Sequence, residues 1–214
     1  MKNLADLRRE YEKPPLHKSD LNKSPVSQFE IWLEEAKAIG ECEANAMTLS
    51  TVSLNGEVSA RVVLLKMISP SGTLQFYTNY GSRKSEDIEG NPRVSLNFWW
   101  PLSMRQVRIN GIASKLSNDE SRKYFQERPR NAQIGAWASK QSQLLKSREL
   151  LEDFYLRTAK RFEGKEVSMP PFWGGYEVKA KSWEFWQGQS CRLHDRFLYT
   201  EEAETLWRIE RLFP

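Results

Sequence analysis

Apolar and polar positions recur along this chain with two periods, and the period changes at turn-forming residues. Phe29, Trp32, Leu33, Ala36 and Ile39 follow helical spacing. Ser24-Pro25 ahead of them reads as an N-cap followed by proline at the first helical position, and Gly40 reads as the stop. Beyond this amphipathic helix the pattern becomes that of strands. Strands are predicted over 46–53, 58–67 and 73–79, with Asn55-Gly56 as a hairpin turn between the first two. A short helix over 83–89 is stopped by Gly90-Asn91-Pro92, and strands follow over 93–99 and 104–115 with Pro101 between them. Ser117-Asn118-Asp119-Glu120 forms a capping box and opens a helix that ends near Arg128, ahead of Pro129. The pattern then gives a short helical turn over 134–138, a longer helix over 144–162, a linker over 164–171 and strands over 176–187, 191–200 and 206–212. Residues 1–24 are polar around Pro14-Pro15 and read as a mobile arm, with room for a short helical piece over 7–11.

Hairpin-linked strands with helices grouped between them predict the α+β class, built on an antiparallel barrel. No repeat or low-complexity block divides residues 1–214, so a single domain is expected. Eight tryptophans and 39% hydrophobic residues supply a sizeable core. The 32 basic and 28 acidic residues leave a net charge of +4. That surplus is too scattered to demand nucleic acid, but it suits a small acidic ligand. The two cysteines, Cys42 and Cys191, have no metal-ligand spacing and point to a reducing compartment. Neither a signal-peptide run nor a membrane-length apolar stretch is present, so a soluble, cytoplasmic protein is expected.

Candidate chemistry concentrates in W-E-F-W-Q-G-Q-S-C-R-L-H-D-R, residues 183–196. An aromatic strand is broken at Gly188, Gln189 and Ser190, and a second strand follows. On a regular strand Arg192, His194 and Arg196 share one face, opposite Leu193, Asp195 and Phe197. Two guanidiniums and an imidazole on one side suit either an anionic or electron-rich ligand or a solvated edge strand that blocks aggregation. Alternation leaves both readings open, and the aromatic strand before it favours a lined pocket.

Three further regions carry candidates. Arg83 and Lys84 open a helix, where free N–H groups and the dipole favour phosphate; otherwise they are plain surface cations. Arg61 and Lys66 bracket V-V-L-L, five residues apart. A regular strand points them to opposite faces, so either a bulge intervenes, they serve different ligands, or one is only surface. Gln106 shares a face with Arg108 and can hydrogen-bond a heteroaromatic edge. Tyr124 and Arg128 lie four apart on a helix and either hold a second phosphate or form an ordinary exposed pair. Gln141-Ser142 adds short polar groups in a loop. Dinucleotide, Walker A and G-x-S-x-G signatures are missing. His17 and His194 lack a Cys or carboxylate cluster, so no metal is expected. A redox cofactor held by cations and aromatics is the reading that survives.

R-V-V-L-L-K, F-Y-T-N-Y-G-S-R-K, N-P-R-V-S-L, R-Q-V-R, Y-F-x-x-R-P-R, Q-I-G-A-W-A-S-K-Q-S, F-W-G-G and E-F-W-Q-G-x-x-x-R-L-H-D-R-F occur in this order. Together they resemble the pyridoxamine 5′-phosphate oxidase family, from the L-R-R-E-Y arm to the closing R-L-F-P. The resemblance implies a split β-barrel homodimer with FMN at the subunit interface. It implies oxidation of pyridoxamine 5′-phosphate and pyridoxine 5′-phosphate to pyridoxal 5′-phosphate. On that resemblance a hydride would pass from C4′ to the flavin N5, with dioxygen reduced to hydrogen peroxide.

By matching motif positions, Arg61, Lys66, Tyr77, Thr78, Arg83 and Lys84 would contact FMN, the cations mainly at its phosphate. Gln106, Gln141, Ser142, Trp186 and Arg196 would complete the flavin site, some from the partner chain. Lys66, Tyr124 and Arg128 would hold the substrate phosphate. Arg192 and His194 would lie over the pyridine ring as the catalytic pair, and Arg8 and Tyr11 would form a lid. One departure is visible: Ala132 stands where the family usually has a serine whose hydroxyl meets the substrate phosphate. Weaker substrate binding is expected from it, unless Asn131 or a water substitutes. The rival readings are another flavin protein on the same barrel, a nucleic-acid-binding barrel supported by the pI near 9, and an inactive homologue that only binds pyridoxal phosphate.

Overall fold

The computed structural model describes residues 10–69, 71–203 and 206–214. The chain divides into two compact units interleaved in sequence, one of Met1–Leu49, Ser95–Gly111 and Ala180–Pro214, the other of Ser50–Val94 and Ile112–Lys179. The strands β1 (Ala46–Val52), β2 (Val58–Leu64), β3 (Met67–Ile68), β4 (Leu74–Asn79), β5 (Arg93–Trp100), β6 (Arg105–Lys115) and β7 (Trp173–Gln187) form one sheet in the order β2-β1-β5-β6-β7-β4-β3. β8 (Asp195–Ala203) pairs with β7, and β9 (Leu206–Leu212) with β8. The β3–β4, β4–β7, β7–β8 and β8–β9 ladders are antiparallel. Among the described residues no helix is long and apolar enough to cross a membrane.

In the first unit, α1 (Pro25–Ala38) begins as its sequence predicts. The Ser24 hydroxyl accepts from the Ser27 N–H at 3.3 Å, and Gly40 takes φ +83° just past the end. Its inner face buries Phe29, Trp32 and Ala36. The Phe29 ring lies 4.8 Å from Phe98 and 5.6 Å from Trp183, and Trp32 meets Phe185 edge-on at 5.2 Å. Of the segment expected to be a mobile arm, residues 14–21 are pinned at several points. Leu16 and Leu21 are buried, Gln187 Nε2 donates to the Pro14 carbonyl at 3.0 Å, and Arg211 Nη2 donates to the Leu16 carbonyl at 2.6 Å. The helical piece expected over 7–11 lies largely outside the described residues, as does Arg8; Tyr11 is not helical.

The expected strand over 191–200 starts only at Asp195. Residues Ser190–Arg192 form a 3₁₀ turn closed by Leu193 N–H to the Ser190 carbonyl at 3.0 Å, with φ of +53° at Cys191 and +60° at Arg192. Strand alternation therefore does not reach Arg192 or His194, and the shared face expected for Arg192, His194 and Arg196 is corrected. The cause is local: side-chain and backbone hydrogen bonds within 189–195 outcompete the ladder.

In the second unit, the return strand expected over 58–67 is two strands. It breaks at Leu65 and Lys66, where Leu65 turns into the core and the Lys66 N–H pairs with the Gln75 carbonyl at 2.9 Å. The capping box is present, with the Ser117 hydroxyl accepting from the Glu120 N–H at 3.2 Å to start α3 (Asn118–Glu127). The helical turn expected over 134–138 extends to a full α4 (Arg130–Ala138), with Pro129 in the N-cap place. The helix expected from 144 begins later, as α5 (Arg148–Arg161), where Ser147 caps Leu150 N–H at 3.3 Å. Phe125, Ile134, Phe162, Val167 and Trp173 form the buried cluster beneath α3 and α4.

Candidate functional site

The second unit contains a cavity of about 1040 Å³. It is lined by Arg61, Lys66, Tyr77, Thr78, Arg83, Lys84, Tyr124, Arg128, Gln141 and Ser142. Every candidate that the sequence placed in this unit therefore meets at one surface. The break between β2 and β3 resolves the parity of Arg61 and Lys66: the strand does not run unbroken from one to the other, and both line the cavity.

α2 (Arg83–Gly90) brings Lys84 inward and leaves Arg83 exposed, paired with Glu57 at 2.9 Å. Lys84 Nζ donates to Gln141 Oε1 at 2.7 Å, to Ser82 Oγ at 3.1 Å and to Thr78 Oγ1 at 3.2 Å. These partners are all neutral. Burial, and then the Arg61 charge, push the Lys84 ammonium down to about 8. Behind Arg61, Thr51 Oγ1 receives Arg61 Nη1 at 2.7 Å and itself donates to Asp87 Oδ2 at 2.6 Å. Arg61 is held below its ordinary range by burial, against the pull of Asp87.

Across the cavity lining, Tyr77 stacks on Tyr124 at 3.8 Å and on Trp173 at 5.5 Å, and the Arg128 guanidinium lies 4.7 Å from the Trp173 ring. Arg128 Nη1 is buried without a hydrogen-bond partner. Burial lowers the Arg128 pKa, pushes Tyr77 up to about 12 and raises Tyr124, so both phenols keep their protons as donors at neutral pH. Close approach at β4–β7 needs glycine: a Cβ on Gly175, the register partner of Tyr77, would lie 2.7 Å from that ring. A surface of desolvated cations and neutral hydroxyl donors is complementary to phosphorylated anions.

The first unit gathers a different group. His194 lies 4.7 Å from the Trp186 ring and 5.8 Å from Tyr11. Its Nδ1 accepts from the Gln189 N–H at 3.1 Å, so the neutral ring carries its proton on Nε2. Burial and then the Arg192 charge lower its pKa, against Asp195. Arg192 is exposed on the 3₁₀ turn. Arg196 points elsewhere, to Glu184 Oε1 at 2.9 Å and to the Phe213 carbonyl at 2.9 Å. Gln106 is half-buried on β6.

Sequence reasoning on its own did not single out Thr51, Asp87 or Trp173. Asp87 is a carboxylate on a short, mostly polar helix, yet it is 5% exposed. Trp173 carried a signal only as part of F-W-G-G.

Residues 33–157 match the family model described as pyridoxamine 5′-phosphate oxidase. Residues 173–214 match the one described as pyridoxine 5′-phosphate oxidase C-terminal dimerisation region. The chain is 50% identical over 213 residues to a pyridoxine/pyridoxamine 5′-phosphate oxidase of Rubrobacter xylanophilus, covering 100% of this chain and 97% of that one. It is 51% identical over 213 residues to that of Teredinibacter turnerae, covering 99% and 100%. Among solved structures it resembles PhzG from Burkholderia lata 383 in complex with tetrahydrophenazine-1-carboxylic acid, at TM-score 0.88 and 26% identity over 96% of this chain and all of the other. A pyridoxamine 5′-phosphate oxidase-related, FMN-binding protein of Nostoc punctiforme aligns at TM-score 0.73 and 15% identity over 91% of this chain and all of the other, which shows the shared split-barrel fold.

Proposed function

This chain belongs to the pyridoxamine 5′-phosphate oxidase family, and from that premise we propose that it oxidises pyridoxamine 5′-phosphate and pyridoxine 5′-phosphate to pyridoxal 5′-phosphate on FMN, as a homodimer. The observation that carries the reading is the cavity itself, where buried Lys84, half-buried Arg61 and the unpartnered Nη1 of Arg128 line one space. The hydrogen-bond partners of Lys84 are neutral, while Arg61 already faces Asp87 at 3.7 Å; desolvated cations are stabilised by anions, and such residues fit a phosphorylated flavin and a phosphorylated substrate. Bound there, FMN would supply the two-electron redox chemistry that oxidises the substrate and reduces dioxygen to hydrogen peroxide.

The protein's own part is binding and orientation. Arg61, Arg83 and Lys84 hold the FMN phosphate, with Tyr77, Thr78, Gln141 and Ser142 beside them. Gln106, Trp186 and Arg196 complete the flavin site, some of the set coming from the partner copy. Lys66, Tyr124 and Arg128 grip the substrate phosphate, and Tyr11 covers the substrate. Arg192 and His194 lie over the pyridine ring. Because Nδ1 of His194 is already an acceptor, its Nε2 carries the N–H that would meet the ring substituents. His194 therefore orients the substrate and steadies charge at C4′, and Arg192, always charged, acts in the same way. The test is oxygen consumption by the purified yellow protein with pyridoxamine 5′-phosphate, with peroxide and pyridoxal 5′-phosphate formed in step. A colourless preparation that cannot take up FMN would end the proposal, and a yellow one without turnover would reduce it to flavin binding.

A further inference from the structure

Asp195 lies beside His194 in sequence, and it is 6% exposed. It receives the Leu16 N–H at 2.9 Å, Gln189 Nε2 at 2.8 Å and the guanidinium of Arg211. Gln189 Nε2 also reaches the Pro14 carbonyl at 3.1 Å, so its side chain is anchored at two points. The backbone N–H of the same residue donates to His194 Nδ1. Between Gln189 and His194, two successive non-glycine residues hold positive φ, at Cys191 and Arg192. Such a turn relaxes unless its ends are fixed, and Gln189 is one of those ends.

We propose that Asp195 is a positioning residue for His194. Its carboxylate fixes Gln189, the Gln189 N–H fixes Nδ1 of His194 as an acceptor, and the ring is locked with its proton on Nε2, facing the substrate. The same carboxylate holds Leu16, so the pinned part of the N-terminal arm and the His194 ring share one anchor. The importance assigned to the ring rests on the function proposed above, while the tautomer does not depend on it. Deleting charge from the carboxylate weakens its bonds to Leu16, Gln189 and Arg211 together, and freeing Gln189 removes the directed N–H.

The test uses the full-length flavin-loaded protein and long-range ¹H–¹⁵N correlation spectra of the histidine rings. In the unaltered protein His194 shows one tautomer, with Nδ1 unprotonated. Asp195→Asn and Gln189→Ala each bring in the Nδ1–H tautomer and lower kcat on the order of tenfold or more, with KM changed less. In a His194→Ala background neither lowers kcat further, because the ring they position is gone. Flavin uptake and melting temperature are followed in parallel. Should Asp195→Asn fail to fold, Gln189→Ala, which leaves the carboxylate in place, decides. A single Nε2–H tautomer retained in the folded variants overturns the proposal, as does a kcat loss that persists in the His194→Ala background. If the enzyme shows no turnover with pyridoxamine 5′-phosphate, the functional reading falls and the spectra still judge the positioning.

Discussion

Ala132 lines the cavity together with Tyr124 and Arg128, and its methyl group offers no hydrogen bond. A hydroxyl at this place would add a bond to a charged phosphate, about 1.5–3 kcal/mol. Ala132→Ser is expected to lower KM for pyridoxamine 5′-phosphate by roughly tenfold, read in a steady-state oxygen assay; an unchanged KM would remove the idea. Arg192 belongs to the other group of residues. It is exposed on a strained turn, so Arg192→Ala should leave flavin content intact and cut turnover sharply. Equal loss of both, measured by flavin absorbance and peroxide release, would reassign Arg192 to flavin binding. At this scale residue type was readable from sequence, but burial was not. Lys84 reads as either a phosphate ligand or a plain surface cation and Asp87 draws no reading, and both are buried because α2 packs that face inward.

At the scale of elements, α2 couples cofactor binding to pH. Burial and the Arg61 charge hold Lys84 at about 8, and a bound phosphate raises it, since an opposite charge favours the ammonium. Binding therefore takes up a proton between the two values, and FMN affinity should fall as pH rises through 8. Fluorescence titration of apoprotein with FMN from neutral to alkaline pH tests this, and Lys84→Arg should flatten the curve. The β4–β7 ladder makes a different demand. Gly175→Ala would drive a methyl into Tyr77 and Leu116, an overpacking cost of about 1–3 kcal/mol. A lower melting temperature and a raised substrate KM are expected together, because Tyr77 stacks on Tyr124.

Caps and turns made many of these elements legible. Ser24-Pro25, the Ser117 capping box and Asn55-Gly56 are short-range signals, and the elements they predict are present. The errors fell where a long-range contact or a dense local hydrogen-bond set overrode the pattern. β2 ends early because the chain changes partner to β4, which strand periodicity does not encode.

For the whole molecule, the resemblance read from ordered motifs agrees with family matches over residues 33–157 and 173–214. The dimer predicts twice the chain mass in sedimentation, yellow colour, and FMN released on denaturation, with apoprotein regaining colour when FMN is added. A monomer that binds FMN at full affinity would remove the partner copy from the site. Each compact unit is assembled from stretches far apart in sequence, so no linear boundary announces either one.

The sequence by itself determined the family, the helices with strong caps and the chemical types at the site, because motif order and local hydrogen bonding are written in neighbouring residues. Only the tertiary structure decided which charges are desolvated, that Arg61 and Lys66 line one cavity, and that Asp195 reaches Leu16, Gln189 and Arg211. Burial and hydrogen-bond partnership depend on residues brought together from distant parts of the chain, and no local pattern carries that information.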